Sequence, residues 1–328
     1  MKQNKPLISV VMSTYNSDKY IFEAIKSILE QTFQNFEFII VNDGSTDNTL
    51  GMIKKFEKLD KRIKVINNIE NLGLIKSLNK GLRKARGNYI ARMDADDISL
   101  PERLKIQYNY LERHSDIFLV GASFEYINES GEVLFQKINN YSPKLIEKKL
   151  AKKSMIHHPT VLFRNVPGII YREKAVYCED RDLWLRFLSE GKKMIVLPNI
   201  VLKYRLNMNS ICISNPIKQR LFIKEVVKWY RQRLVGDVED YDRFDPKQIK
   251  SIKEDNEAIE FYNSVLMLEL YFKHGKDIKI FRKNLLSHFK KFGVFKWTPG
   301  IILFIISLTP NIVISVLRKA VIRMTLLL

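Results

Sequence analysis

Apolar and polar positions along the first hundred residues repeat one simple unit. The stretch LISVVMSTYN (7–16) is an apolar strand ending in polar residues, and a helical pattern follows from about Asp18 to Gln31. FEFIIVNDGSTDNT (36–49) is a second apolar strand that runs into a polar turn and then the helix TLGMIKKFEKL. RIKVINN and NYIARMD are two further strands, with a helical stretch over 74–86 between them. Strands alternating with helices predict an α/β fold with a mostly parallel sheet and right-handed crossovers. Ligands of such sheets bind beyond the carboxyl ends of the strands. Tyr15, Asp43 and Asp94 fall at or just past three of those ends, so they are expected on one edge.

From 100 to 210 the pattern is mixed. A helix from about Pro101 to Arg113 precedes strand-like IFLVGASFEYIN and PTVLFR, and a helix forms around EDRDLWLRFLSEG. Residues 216–296 read as helical, charged and amphipathic, and no solenoid repeat or low-complexity linker interrupts the chain. The stretch 298–317 carries no charge and is long enough to cross a bilayer, but Pro310 and Asn311 interrupt it. Beyond Pro310, the residues Asn311, Ser315, Lys319 and Arg323 recur every four positions and form one polar stripe. That is the pattern of a helix lying in the membrane interface, with a true span or a buried hairpin of an oligomer as the alternatives. Three segments follow: an α/β domain over 1–215, a basic helical extension over 216–296, and an apolar membrane-associating C-terminus over 297–328.

Composition refines this picture in two places. The 328 residues are 46% hydrophobic, which excludes disorder throughout and leaves room for one large or two modest cores. The two cysteines, Cys178 and Cys212, have no paired spacing, which argues against a disulfide framework or a cysteine zinc site. The N-terminus enters a strand almost at once without a signal-peptide apolar region, so a cytosolic location is expected. Of the net charge of +19, much lies late: residues 273–296 hold eight Lys or Arg and one acid, Asp277. Nucleic acid and anionic lipid both suit such a run, and its apolar neighbour favours lipid.

Candidate chemistry centres on DADDISLPE. Ser99 and Glu102 have capping-box spacing, and Asp97 suits a cap of the same helix. Asp94 and Asp96 are left at a strand end, two apart and therefore on one side of an extended chain. Carboxylates so placed raise each other's pKa unless a cation neutralises them, and Mg²⁺ or Mn²⁺ takes such oxygen ligands. In VNDGSTDNT, Ser45 or Thr46 is expected to cap the next helix, leaving Asp43 at the strand end as an acceptor for a base or sugar. Tyr15 is either an edge aromatic or a face for a base. Glu179, Asp180 and Asp182 suit a helix N-terminus, and Asp182 with Arg186 reads as a surface i,i+4 pair. His157 and His158 read as a strand edge rather than a zinc site.

Together, ISVVMSTYN, VNDGSTDNT, NLGLIKSLNKGLRKARGNYIARMDADD, LPERL and CEDRDLWLRF resemble the family 2 glycosyltransferases, inverting enzymes of the GT-A fold, over roughly residues 6–210. The resemblance implies that Ser13, Tyr15 and Asp43 bind the base end of a UDP-sugar and that Asp94 contacts the ribose. It implies that Asp96, with Asp94 as a possible second ligand, holds Mn²⁺ or Mg²⁺, and that Asp180 is the general base with Glu179 as its neighbour. No Q-x-x-R-W occurs, which argues against a processive synthase, and Asn42 stands where the family often has Asp. The implied activity is transfer of one sugar to a lipid-linked saccharide at the cytoplasmic face of a bacterial membrane, in surface polysaccharide synthesis. The basic run and apolar tail would meet anionic lipid there. A sugar nucleotidyltransferase is the alternative, but its usual Gly-rich first turn is missing from STYNSDKY. A basic nucleic-acid-binding protein would explain the charge and none of the strand-end acids, so no nucleic-acid partner is expected.

Overall fold

A computed structural model describes residues 5–206 and 215–253, together with Ile259. Up to Ile252 the chain forms one compact unit, so the boundary expected at 215 falls inside it. The basic run at 273–296, the apolar stretch 298–317 and Cys212 lie outside the described residues. Among the described residues, no helix is long and apolar enough to cross a membrane.

The first half follows the sequence pattern closely. Strands β1 (Ile8–Thr14), β2 (Phe36–Asn42), β3 (Ile63–Asn67) and β4 (Tyr89–Asp94) pair in parallel in the order β3-β2-β1-β4. Helices α1 (Ile21–Leu29), α2 (Thr49–Leu59) and α3 (Leu74–Lys84) connect them. β1 and β2 are apolar and buried almost throughout, as expected for strands covered on both faces. α3 lies so close to the sheet that a Cβ at Gly81 would come within 2.5 Å of a Val11 methyl. Only glycine allows that approach without moving the helix.

Beyond β4 the sheet becomes mixed. The elements are β5 (Ile98–Ser99), α4 (Arg103–Arg113), β6 (Ile117–Ile127), β7 (Val133–Lys137), α5 (Pro143–Lys149), β8 (Leu162–Arg164), α6 (Glu179–Ser189), β9 (Lys193–Arg205), α7 (Pro216–Leu234) and α8 (Lys247–Lys250). The sheet continues β4-β8-β6-β9-β5, with β7 folded back onto β6. β8 runs antiparallel to β4 and β6, β9 runs parallel to β6, and the short β5 runs antiparallel to β9. β5, β7, α5 and the long β9 have no counterpart in the sequence pattern read above. α7 and α8 are the helices of the expected extension that lie among the described residues. Phe222 and Trp229 of α7 join Trp184 and Phe187 of α6 and Phe163 of β8 in one buried cluster.

Two helix starts differ from expectation. α1 begins at Ile21, because the Ser17 carbonyl takes the N–H groups of Tyr20 and Ile21 and makes a turn of the preceding residues. α4 begins at Arg103, and the capping box does not form: Ser99 is in β5, where its N–H donates to Ser27 Oγ at 3.0 Å. The Leu104 N–H is satisfied instead by Gln31 Oε1 at 3.0 Å, from the residue just past α1. A side chain distant in sequence supplies the acceptor that the helix start requires.

Candidate active site

The carboxyl ends of β1, β2 and β4 stand side by side. Ser13 is in register with Asp94, Thr14 with Asn42, and the Asp43 N–H donates to the Thr14 carbonyl at 2.8 Å. Tyr15, 46% exposed, follows directly on β1. Asn16 takes a left-handed conformation at φ +47°, which an asparagine tolerates better than most residues. The turn after β2 fastens this loop. Ser45 Oγ accepts from Asn16 N at 3.0 Å, Asn16 Oδ1 accepts from Thr46 N at 2.8 Å, and Asp47 Oδ2 accepts from Asp18 N at 3.1 Å. Neither Ser45 nor Thr46 therefore caps α2. The N-cap residue is Asn48, whose side chain makes no capping bond; Asp47 Oδ1, one residue earlier, accepts from the Thr49 N–H at 3.0 Å.

Asp43 is buried, and its carboxylate holds the loop between β3 and α3. Oδ1 accepts from Asn68 Nδ2 at 2.8 Å and Leu72 N at 2.9 Å, and Oδ2 accepts from Gly73 N at 2.9 Å. Three N–H donors offset the cost of burying the charge. Spare acceptor capacity is left on Oδ2, which has a single protein donor.

Asp94, Asp96 and Asp97 gather at the end of β4, each offering a carboxylate oxygen, all within 4.8 Å of one another. Asp97 is 1% exposed and is not a helix cap. Its Oδ1 accepts from Arg205 N at 2.9 Å, and its Oδ2 is buried without a hydrogen-bond partner. Arg205, at the end of β9, secures the loop from several sides. Nε donates to the Asp96 carbonyl at 2.8 Å, Nη1 to the carbonyls of Asn128 and Glu129, and Nη2 to Glu23 Oε2 at 2.8 Å. Burial and the neighbouring Asp94 push the Asp96 carboxyl up to about 6. Burial, with Asp96 and Asp94 beside it, pushes Asp97 well above the ordinary carboxylate range. A compact all-oxygen set with an orphaned buried oxygen fits a hard divalent cation.

A second acidic pair opens α6. Glu179 is buried and Asp180 half-buried, with the Arg181 N–H donating to Asp180 Oδ1 at 2.6 Å. Burial first, and then the charge of Asp180, push Glu179 up to about 8. Burial raises Asp180 as well, against the pull of its backbone hydrogen bond and of Arg92. His158 Nδ1 lies 3.9 Å from Glu179 Oε1, and its Nε2 is 2.7 Å from the Tyr171 hydroxyl. Burial, aided by Arg92, drives His158 well below its ordinary value, so it is neutral. It is a buried member of this site and not a strand edge. Asp182, 0% exposed, belongs to a separate network and is no surface partner. Arg172 grips it with a fork, Arg186 Nε donates to Oδ2 at 3.2 Å, and Arg172 also reaches Glu239 at 2.6 Å.

The two acidic clusters meet electrostatically: Glu179 responds to the charges of both Arg92 and Asp94. Arg92, His158, Tyr171 and Arg205 are site residues that the sequence reading missed. Arg92 had a signal, since it sits two before Asp94 on a strand and so on the same side. Arg205 had none that is local.

A parallel half-sheet with carboxylates at its strand ends, joined to a mixed half that brings an acidic helix start to the same cleft, defines the GT-A fold of nucleotide-sugar transferases. Residues 9–168 match the model of glycosyl transferase family 2. An uncharacterized glycosyltransferase of Methanocaldococcus jannaschii is 38% identical over 226 residues, covering 67% of this chain and 78% of that protein. An O-antigen biosynthesis glycosyltransferase of Escherichia coli, WbnJ, is 37% identical over 213 residues, or 62% and 81% of the two chains. Among solved structures, S. aureus TarS 1-349 in complex with UDP superposes with a TM-score of 0.54 at 19% identity, covering 80% of this chain and 71% of that one. The chain belongs to glycosyl transferase family 2.

Proposed function

We propose that the protein transfers a single sugar from a UDP-sugar, with inversion, to a hydroxyl of a lipid-linked saccharide in the assembly of a bacterial surface polysaccharide. The observation that carries this reading is the cluster of Asp94, Asp96 and Asp97 at the end of β4, with Glu179 near enough to feel the charge of Asp94. The UDP complex of TarS supports the donor class, and the O-antigen role of WbnJ supports the acceptor class.

Ser13, Tyr15 and the free side of Asp43 receive the base, and Asp94 faces the ribose. Asp94, Asp96 and Asp97 are the residues to hold Mn²⁺ or Mg²⁺, which supplies positive charge to the diphosphate as it leaves. Glu179 retains its proton at neutral pH, which leaves Asp180 as the base. Asp180 takes the acceptor hydroxyl's proton as that oxygen attacks the anomeric carbon. The bond from that carbon to the diphosphate breaks, and UDP departs. A single base suffices for inversion. The basic run at 273–296 and the apolar stretch 298–317 hold the enzyme at the cytoplasmic membrane face, where a lipid-linked acceptor resides.

The test is a panel of UDP- and other NDP-sugars with Mn²⁺, scored for slow donor hydrolysis and, with acceptor lipid extracts, for transfer and product anomeric configuration. Hydrolysis of a UDP-sugar that Asp96→Ala abolishes is expected. Full transfer by Asp96→Ala or Asp180→Ala would sink the assigned roles, and a product of retained configuration would sink the inverting step. Full-length protein that ignores anionic vesicles would remove the membrane part.

A further inference from the structure

Three buried arginines, Arg92, Arg103 and Arg205, stand near the Asp94, Asp96 and Asp97 cluster, and among the described residues Arg92 is the one in an ion pair with a carboxylate of that cluster. Arg92 lies on β4, is 4% exposed, and shares the strand face of Asp94, whose Oδ2 it meets through Nη1. Its backbone is fixed on both sides: the N–H donates to the Val161 carbonyl at 3.2 Å, and the carbonyl accepts from Arg103 Nη2 at 2.6 Å. The guanidinium is less completely engaged, because Nε is buried without a hydrogen-bond partner. An arginine so buried with an unused donor is costly unless its charge compensates others. Its charge reaches Asp96 and Asp97 on the donor side, and Glu179 and Asp180 on the acceptor side. No other residue of the described set is paired with Asp94 by an ion pair.

We propose that Arg92 is a built-in counter-cation that holds the donor-side and acceptor-side carboxylates together before the divalent cation arrives, and then competes with that cation for Asp94. It is a positioning residue and not a ligand. Two consequences oppose each other in sign. Losing the charge leaves the metal-free cleft self-repelling, which destabilises the metal-free protein. The same loss removes a positive neighbour from the cation site, which tightens cation binding. A side chain that merely fills space predicts the opposite for the metal, because loosening the loop weakens it. The inference rests on the proposed reading of the Asp94, Asp96 and Asp97 cluster as the cation site.

The experiment measures Mn²⁺ binding to the full chain without donor or acceptor, by the loss of the free-ion paramagnetic resonance signal and by thermal shift. Arg92→Met, close in length and uncharged, is compared with Arg92→Lys, which keeps the charge. Arg92→Met is expected to lower the metal-free melting temperature, to bind Mn²⁺ about tenfold more tightly, and to gain more from it in thermal shift than wild type. Arg92→Lys is expected to bind Mn²⁺ within about threefold of wild type while transferring sugar more slowly, since a point charge replaces the planar fork. Arg92→Met binding Mn²⁺ no more tightly than wild type overturns the inference. If it does not fold without metal, refolding in Mn²⁺ supports the inference, and failure there with Arg92→Lys equally affected overturns it. A wild-type protein that binds no Mn²⁺ breaks the cation-site reading itself, a different outcome from wild-type binding with an unaltered Met variant.

Discussion

The two halves of the sheet place their acids by different means. In the parallel half, Ser13, Asp43 and Asp94 sit where neighbouring strands stop, and strand register alone makes them neighbours. In the mixed half, Glu179 and Asp180 start a helix, and a buried cluster of α6, α7 and β8 carries them to the cleft. The strand-end cluster that the proposed function gives to the donor is thus built by strand register, and the Glu179–Asp180 pair that it gives to the acceptor by side-chain packing of a helix onto its neighbours. Binding of the nucleotide diphosphate and chemistry on the acceptor are expected to separate along the same line.

The sharpest way to break that comparison is Asp180→Asn. Transfer should fall by about 10²–10⁴-fold with Mn²⁺ and UDP affinity within a few-fold of wild type, measured by UDP release and calorimetry. Equal loss of both would merge the two halves. On the donor side, Asp96→Ala should lose Mn²⁺ affinity by about a hundredfold and transfer with it, with little change in melting temperature without metal. Proton competition gives a milder version of the same effect. With Asp96 pushed up to about 6 and Asp97 raised as well, Mn²⁺ affinity should fall as pH drops through about 6, by at least about tenfold per unit below it.

Glu179 probes the acceptor side through stability. Its folded value of about 8 lies above the ordinary 4.5, so the folded state binds the extra proton between those values. Stability from this group is complete below about 4.5 and declines as pH rises through about 8. Glu179→Gln, a neutral isostere, should match wild type at pH 5 and melt several degrees higher at pH 8.5. The smallest effect belongs to the loop clamp: Asp47→Ala should cost about 1 kcal/mol through the lost bonds from the Asp18 and Thr49 N–H groups, read by urea denaturation.

How much of this was legible follows the same division. The four parallel strands and their helices could be read from the sequence because each announces itself by its own local periodicity, although the pairing of β1 with β4 joins strands about 80 residues apart. Strand parity applies to Arg92 and Asp94, both in β4, and Arg92 went unread; it does not hold for Asp96, which stands in the turn just past the strand. Asp97 was assigned to a helix start because its neighbours offer that reading, while its true partner, Arg205, lies 108 residues later. Ser99 was misassigned in the same way, since Gln31, beyond the end of α1, supplies the acceptor. Asp182 matched an i,i+4 surface pair, but the Arg172 fork that buries it comes from outside the helix. β9 resists reading because its 13 residues pair with both β6 and β5 and alternate burial irregularly. Local rules fail where an acceptor or donor is supplied from a distance.

The bond between Asp97 and Arg205 also orders events during synthesis. A nascent chain can pair β1 with β2 and β2 with β3 early, since these close loops between successive units, and β4 joins β1 once residue 94 has emerged. The loop carrying Asp96 and Asp97 stays unpinned until Arg205 has left the ribosome, more than a hundred residues afterwards. At synthesis rates of about 5–20 residues per second, that is an interval of roughly 5–20 s. During it the nascent chain has the strand ends that carry Ser13, Asp43 and Asp94 but an unpinned Asp96–Asp97 loop, so the proposed cation site is completed late by the connectivity itself.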